Sequence, residues 1–118
     1  MREKTSEPTT TIIDDIAIIT VSGELDLAHC IKLAPELNAA LRSAARAIVI
    51  DLEAVSLVDS SGIALLLNAF RHLDHTGRQL AIACPIGPQR RAFEVTALDR
   101  RLPMHETRQA ALAAVGVS

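Results

Sequence analysis

A chain of 118 residues is the size of one ordinary domain and too short for two substantial cores. Apolar residues make up 49% of it and charged residues 22%, which is globular composition; with no Trp or Tyr and only Phe70 and Phe93 as aromatics, the core is expected to be aliphatic. The formal net charge of −2, without a basic field or aromatic stacking platforms, argues against direct nucleic-acid binding, and no apolar run approaches the roughly 20 residues of a membrane span.

Residues 1–11 are polar and Thr-rich, lack the apolar stretch of a secretion signal, and read as a flexible tail ahead of a domain spanning 12–118; a cytoplasmic location is expected. Thr10 to Ile13 and Ile16 to Ser22 read as two strands joined by a turn at Asp14-Asp15, a hairpin. Gly23-Glu24-Leu25-Asp26 ends the second strand. From Leu27 the spacing Ile31, Pro35, Leu37, Leu41 is helical, with Asp26 placed as the cap. An interior Pro costs about 3 kcal/mol, so this helix is expected either to kink or to begin only near Pro35.

Ala47 to Leu52 is apolar without alternation, the pattern of a strand covered on both faces, and is assigned to the centre of the sheet. The run Val58-Asp59-Ser60-Ser61-Gly62 follows, putting two hydroxyls at a helix start. First-turn N–H groups there lack helical partners and the macrodipole is positive, so a phosphoryl group is expected to be held rather than repelled. Ile63, Leu66, Leu67, Phe70 and Leu73 form the inward stripe of that helix, which Gly77 closes as a left-handed cap.

Leu80 to Cys84 reads as a short buried strand, Pro85 with Gly87-Pro88 as a loop, and Arg90 to Leu98 as an amphipathic helix. Leu102 to His105 reads as a last strand and Arg108 to Val115 as a helix closed by Gly116. Strands alternating with helices after a hairpin imply an α/β domain, a mixed β-sheet with packed α-helices.

Two segments together, Val21-Ser22-Gly23-Glu24-Leu25-Asp26 and Val49 to Leu52 followed by Val55 to Ile63, resemble the STAS domain, and specifically the small bacterial anti-sigma factor antagonists. Pro88 to Leu98 resembles the family's third helix, and the likeness runs from about Ile12 to Val117. The resemblance implies a binding protein rather than an enzyme. Unphosphorylated, it captures an anti-sigma factor that is also an ATP-dependent serine kinase, freeing a sigma factor; the kinase inactivates it by phosphorylation and a phosphatase reverses this. By motif the accepted serine is Ser60, with Ser61 as the alternative, and the partner surface comprises Glu24, Asp26, Asp59, Ser60, Ser61, Gly62 and Leu65. A monomer or weak dimer without cofactor is expected. The absence of a sensory or membrane segment in this chain favours a free antagonist over a phosphorylation-independent STAS scaffold module.

Each of these residues also has a plainer reading. Asp26, Asp59 and Ser60 are ordinary helix-cap residue types. Gly62 either leaves backbone open to a partner or packs closely on its own sheet, and Leu65 falls outside the inward stripe, so it faces a partner or a second buried face. Arg90 and Arg91 read as a solvated face. No Gly-x-Ser-x-Gly or P-loop spacing is present, and His72 and His75 near a helix end are read as solvated rather than metal-binding. Cys30 and Cys84, without CxxC or zinc spacing, are read as reduced thiols in or near the core.

Overall fold

Asp14 and Asp15 both take positive φ, 51° and 64°, the left-handed pair that a two-residue hairpin turn requires. They fold β1 (Thr9–Ile13) antiparallel onto β2 (Ile16–Leu25), with Ile13 opposite Ile16 and Thr9 opposite Thr20. The computed structural model describes residues 7–117. It continues with α1 (Leu27–Arg42), β3 (Ala47–Val58), α2 (Ser60–His75), β4 (Gln79–Ala83), α3 (Pro88–Val95), a 3₁₀ turn at Leu98–Arg100, β5 (Met104–His105) and α4 (Arg108–Ala114).

The five strands form one sheet in the order β1-β2-β3-β4-β5, parallel from β2 onward, so β3 is central as its unbroken apolar run requires. One face carries Ala17, Ile19, Ile48, Ile50, Leu80 and Ile82 beneath α1, α2 and α3, with Phe93 of α3 fully buried among them. The other face carries Ile16, Ile18, Ala47, Val49, Ala81 and Ala83, closed by Ala111 of α4 and by Val115. Burying both faces is what removes the polar–apolar alternation from β3 and β4. Among the described residues no helix is long and apolar enough to cross a membrane.

Several boundaries differ from the sequence expectation. β1 begins at Thr9, inside the stretch read as tail, because its backbone is recruited by β2; the part of that tail before Glu7 lies outside the described residues. β2 and β3 run on to Leu25 and Val58 as a paired extension, with register shifts between Thr20 and Ser22 and between Gly23 and Glu24, and Gly23 at φ 84°. α3 starts at Pro88, whose missing N–H costs nothing in a first helical turn, and stops at Val95 rather than Leu98; Ala97 then takes φ 62° and begins the 3₁₀ turn.

Pro35 does not delay α1, which begins at Leu27 and runs through it to Arg42. Its ring deprives the Ile31 carbonyl of a helical donor, but Ile31 is 65% exposed and Pro35 faces solvent, so water is on hand for that carbonyl. The buried side of α1 is Cys30, Leu33, Leu37 and Ala40, which corrects the stripe read through Ile31, Pro35, Leu37 and Leu41. In α2 the buried residues are Gly62, Leu66, Ala69 and Leu73, with Ile63, Leu67 and Phe70 half-buried on its flank. Gly62 and Ala69 alternate with Leu66 and Leu73 along that buried side.

The buried carboxylate of Asp51 on β3 is paired with Arg108, Nη1 to Oδ2 at 3.3 Å, and accepts from the Glu53 N–H at 2.9 Å. The Arg108 N–H in turn donates to Glu53 at 2.7 Å, which ties the start of α4 to β3. Paired and hydrogen-bonded in this way, a buried charge is tolerated. Cys30 and Cys84 are both buried and free, as expected from their spacing. Burial first raises the Cys30 thiol pKa, with the carboxylates of Asp59 and Asp26 adding to it, and burial pushes Cys84 up to about 11.

Candidate functional site

Leu25 and Val58 are register partners at the ends of β2 and β3, so the residues that follow them, Asp26 and Asp59, emerge side by side. The Asp59 N–H donates to the Leu25 carbonyl at 3.2 Å and locks the two chain reversals together. Asp26 and Asp59 have the same backbone angles, φ −104° and ψ −174°, and each is the N-cap of the helix that follows. The two acidic motifs, 33 positions apart in the chain, thus become two adjacent helix starts at the C-terminal end of a parallel strand pair. In open α/β sheets that end is where ligands are met.

Ser60 is the first residue of α2 and is exposed, with its hydroxyl next to the Asp59 cap; Ser61 is half-buried. The Asp59 carboxylate accepts from the N–H groups of Ser61 at 2.9 Å and Gly62 at 3.3 Å, and the Ile63 N–H is taken by the Asp59 carbonyl at 3.1 Å. The cap therefore takes two of the first-turn amides, those of Ser61 and Gly62, and leaves the Ser60 N–H without a hydrogen-bond partner among the described residues. Asp59 forms no ion pair among the described residues, so a phosphoryl group on Ser60 meets an uncompensated carboxylate.

Asp26 accepts from the His29 N–H at 3.0 Å and lies 2.7 Å from His29 Nδ1. The His29 backbone hydrogen bond, followed by the side-chain one, lowers its pKa. A depressed folded-state value means that the stabilisation from this cap is present above the unfolded pKa of about 3.9 and disappears as pH falls through the lower folded value. In a carbon-detected NMR titration the Asp26 carboxyl should therefore show a midpoint below about 3.9. A midpoint at or above it would remove the capping role.

Glu24 is exposed and stands opposite Leu57, itself 49% exposed, on the paired extension that carries both motifs. Gly62 is buried, and the reason is steric. A Cβ built there would lie 2.8 Å from Leu25 Cγ, 2.9 Å from Cδ2 and 3.0 Å from the Leu25 carbonyl oxygen. Gly62 is thus packed against its own sheet, the close-packing reading of this position, and lets α2 approach the end of β2. Leu65 is half-buried and packs against the core, so the second-buried-face reading accounts for most of its surface.

Sequence spacing gave no sign that Leu27 and Ile31 of α1 would stand exposed just after the Asp26 cap, or that Ile86 would be 66% exposed after β4. Each reads as a core residue until packing shows which side of its element is covered. Arg91 is exposed as expected, whereas Arg90 is half-buried and its Nε has no hydrogen-bond partner among the described residues. His72 and His75 are exposed, and no group of three or more His, Cys, Asp or Glu suited to a metal occurs among the described residues.

The sequence profile described as the STAS domain matches residues 7–111. The anti-sigma-B factor antagonist of Staphylococcus aureus is 30% identical over 97 residues, covering 82% of this chain and 90% of that protein. Among solved structures, an anti-sigma factor antagonist from Mycobacterium paratuberculosis superposes with a TM-score of 0.85 at 28% identity, covering 92% of each chain. The anti-sigma factor antagonist SpoIIAA in its unphosphorylated form, at 21% identity and a TM-score of 0.76 over 94% of this chain and 98% of that one, shares the fold.

Proposed function

The chain belongs to the STAS domain family, and from that premise we propose that it is an anti-sigma factor antagonist whose partner binding is switched at Ser60. In this reading the unphosphorylated protein binds an anti-sigma factor that is an ATP-dependent serine kinase and so releases a sigma factor. Phosphorylation of Ser60 ends the binding and a phosphatase restores it. The observation that carries the reading is the exposed Ser60 hydroxyl at the start of α2, beside two adjacent capped carboxylates. Glu24, Asp26 and Ser61 border it, and the exposed Leu27, Ile31 and Leu57 supply apolar area on the same end of the molecule.

Phosphorylation adds roughly −1.5 to −2 charge and three acceptor oxygens. The helix start tolerates an anion, worth about 0.3 to 1 kcal/mol at an N-terminus, so the fold survives the modification. The partner interface does not, because a dianion next to Asp59 and Asp26 must be desolvated on docking.

Incubation with ATP and a candidate anti-sigma kinase, followed by intact mass and peptide mapping, tests the assignment. The expected result is one phosphoryl group on Ser60 and none on Ser60→Ala. Full modification of Ser60→Ala would move the site to Ser61. Stable binding with no modification of the wild-type chain would instead identify a phosphorylation-independent scaffold module.

A further inference from the structure

Antiparallel pairing of β1 with β2, Thr9 opposite Thr20, sends the chain that precedes Thr9 toward the end of the sheet that β2 reaches at Leu25. Glu7 already lies against α1 on that path, its carboxylate 3.6 Å from Nζ of Lys32 in the second turn of the helix. The rim ahead of it is acidic. Glu24 and Asp59 form no ion pair among the described residues, and Asp26 has only its own His29. Cations are scarce in this half of the chain: of the five Lys and Arg residues before Ser60, Lys32 is paired with Glu7, Arg46 is bound to the carbonyls of Asp14 and Val115, and Arg42 stands at the far end of α1. The other two are Arg2 and Lys4, in the six residues that precede Glu7.

We propose that residues 1–6 fold back over this rim as a displaceable strap, with Arg2 and Lys4 set against Glu24, Asp26 and Asp59, so that a partner docking at Ser60 must first lift it. The inference rests on the functional reading above and adds a regulator to the same surface. The reach suffices: Glu24 lies four residues beyond Thr20, about 13 Å along β2, and six extended residues span about 20 Å. The charges are complementary, since the segment brings two cations and one acid, Glu3, to a rim of three carboxylates. Exposed ion pairs are weak singly, but the tether at Glu7 holds these cations at an effective concentration on the order of millimolar, so closed and open forms coexist. Salt loosens the strap by screening it. Phosphorylation of Ser60 adds negative charge to the rim and tightens it, so the modification covers the docking surface as well as charging it.

Paramagnetic relaxation from a nitroxide on Glu3→Cys of the full chain tests this, Cys30 and Cys84 being buried away from the label. The expected result at low salt is broadening of the amides of residues 23–26 and 59–61, stronger in a Ser60→Asp background and lost at high salt or when Arg2 and Lys4 are both replaced by Glu. Rim broadening indifferent to salt and to that double replacement is the signature of a free tail and overturns the proposal, as does broadening confined to β1. Broadening passed from a nitroxide-bearing chain to an isotope-labelled chain without one overturns it in favour of contact between copies. With an anti-sigma kinase present, the Arg2→Glu, Lys4→Glu chain should bind about threefold more tightly than wild type at low salt, and unchanged or weaker binding counts against the strap. Failure of the wild-type chain to bind any anti-sigma kinase would fall on the functional reading alone, because the relaxation experiment uses the chain by itself.

Discussion

Ser60→Asp is expected to keep the fold and to lose affinity for an anti-sigma kinase by about 30-fold or more, while Ser60→Ala binds like the wild type. The magnitude comes from the cost of an unpaired charge at a docked surface, about 2–5 kcal/mol, with every 1.4 kcal/mol worth tenfold. The direction comes from the cap. Asp59 already accepts from Ser61 and Gly62, so a carboxylate at position 60 finds those two amides taken and stands beside one that forms no ion pair among the described residues. Titration calorimetry measures the affinity, and circular dichroism with a melting curve checks that the fold is unchanged. Undiminished binding of Ser60→Asp would sink the switch, whatever the modification experiment shows.

Gly62→Val is expected to destabilise the domain by about 2–3 kcal/mol, in the upper part of the range for forcing extra carbon into a packed site. The new Cβ would fall 2.8 Å from Leu25 Cγ, and Leu25 is fully buried at the end of β2, so it has no space to retreat into. Gly62→Ala meets the same collision but recovers up to about 1 kcal/mol of helix propensity, so its loss is smaller. Replacing Leu25 by Ala in the Gly62→Val background should return part of the loss, because the clashing atoms are gone. Denaturant unfolding of the two single variants and the double variant gives the coupling. Strictly additive losses would show that Gly62 is not there to admit Leu25.

Both predictions turn on one geometrical fact, the Leu25–Val58 register. It sets Asp26 beside Asp59 and places Leu25 under Gly62. A single residue of slip between β2 and β3 would separate the caps and turn Leu25 away from the core. The site is therefore part of the sheet's pairing rather than a loop laid over it, which is why a change at Gly62 reaches both stability and the Ser60 turn.

Much of this was legible in the amino-acid order, where the signal is local. The Asp14-Asp15 turn, the unbroken apolar β3, the Asp caps and the close of α2 at Gly77 each follow from backbone preferences and periodicity within a few residues. The residue order also carried the family, through the paired motifs at 23–26 and 59–62. What it did not carry was the facing of elements. The stripe through Ile31 and Pro35 and the exposure of Leu27, Leu57 and Ile86 depend on which side of an element a neighbour covers, and that neighbour is distant in the chain.

By itself, then, the sequence determined an α/β domain with its elements in order and two acidic helix starts, one of them bearing Ser60. The tertiary structure alone decided that those starts adjoin and that Gly62 packs against Leu25. The reason is physical. Caps and periodicity are written in neighbouring residues, whereas adjacency and burial are set by strand register and close packing between segments more than thirty residues apart.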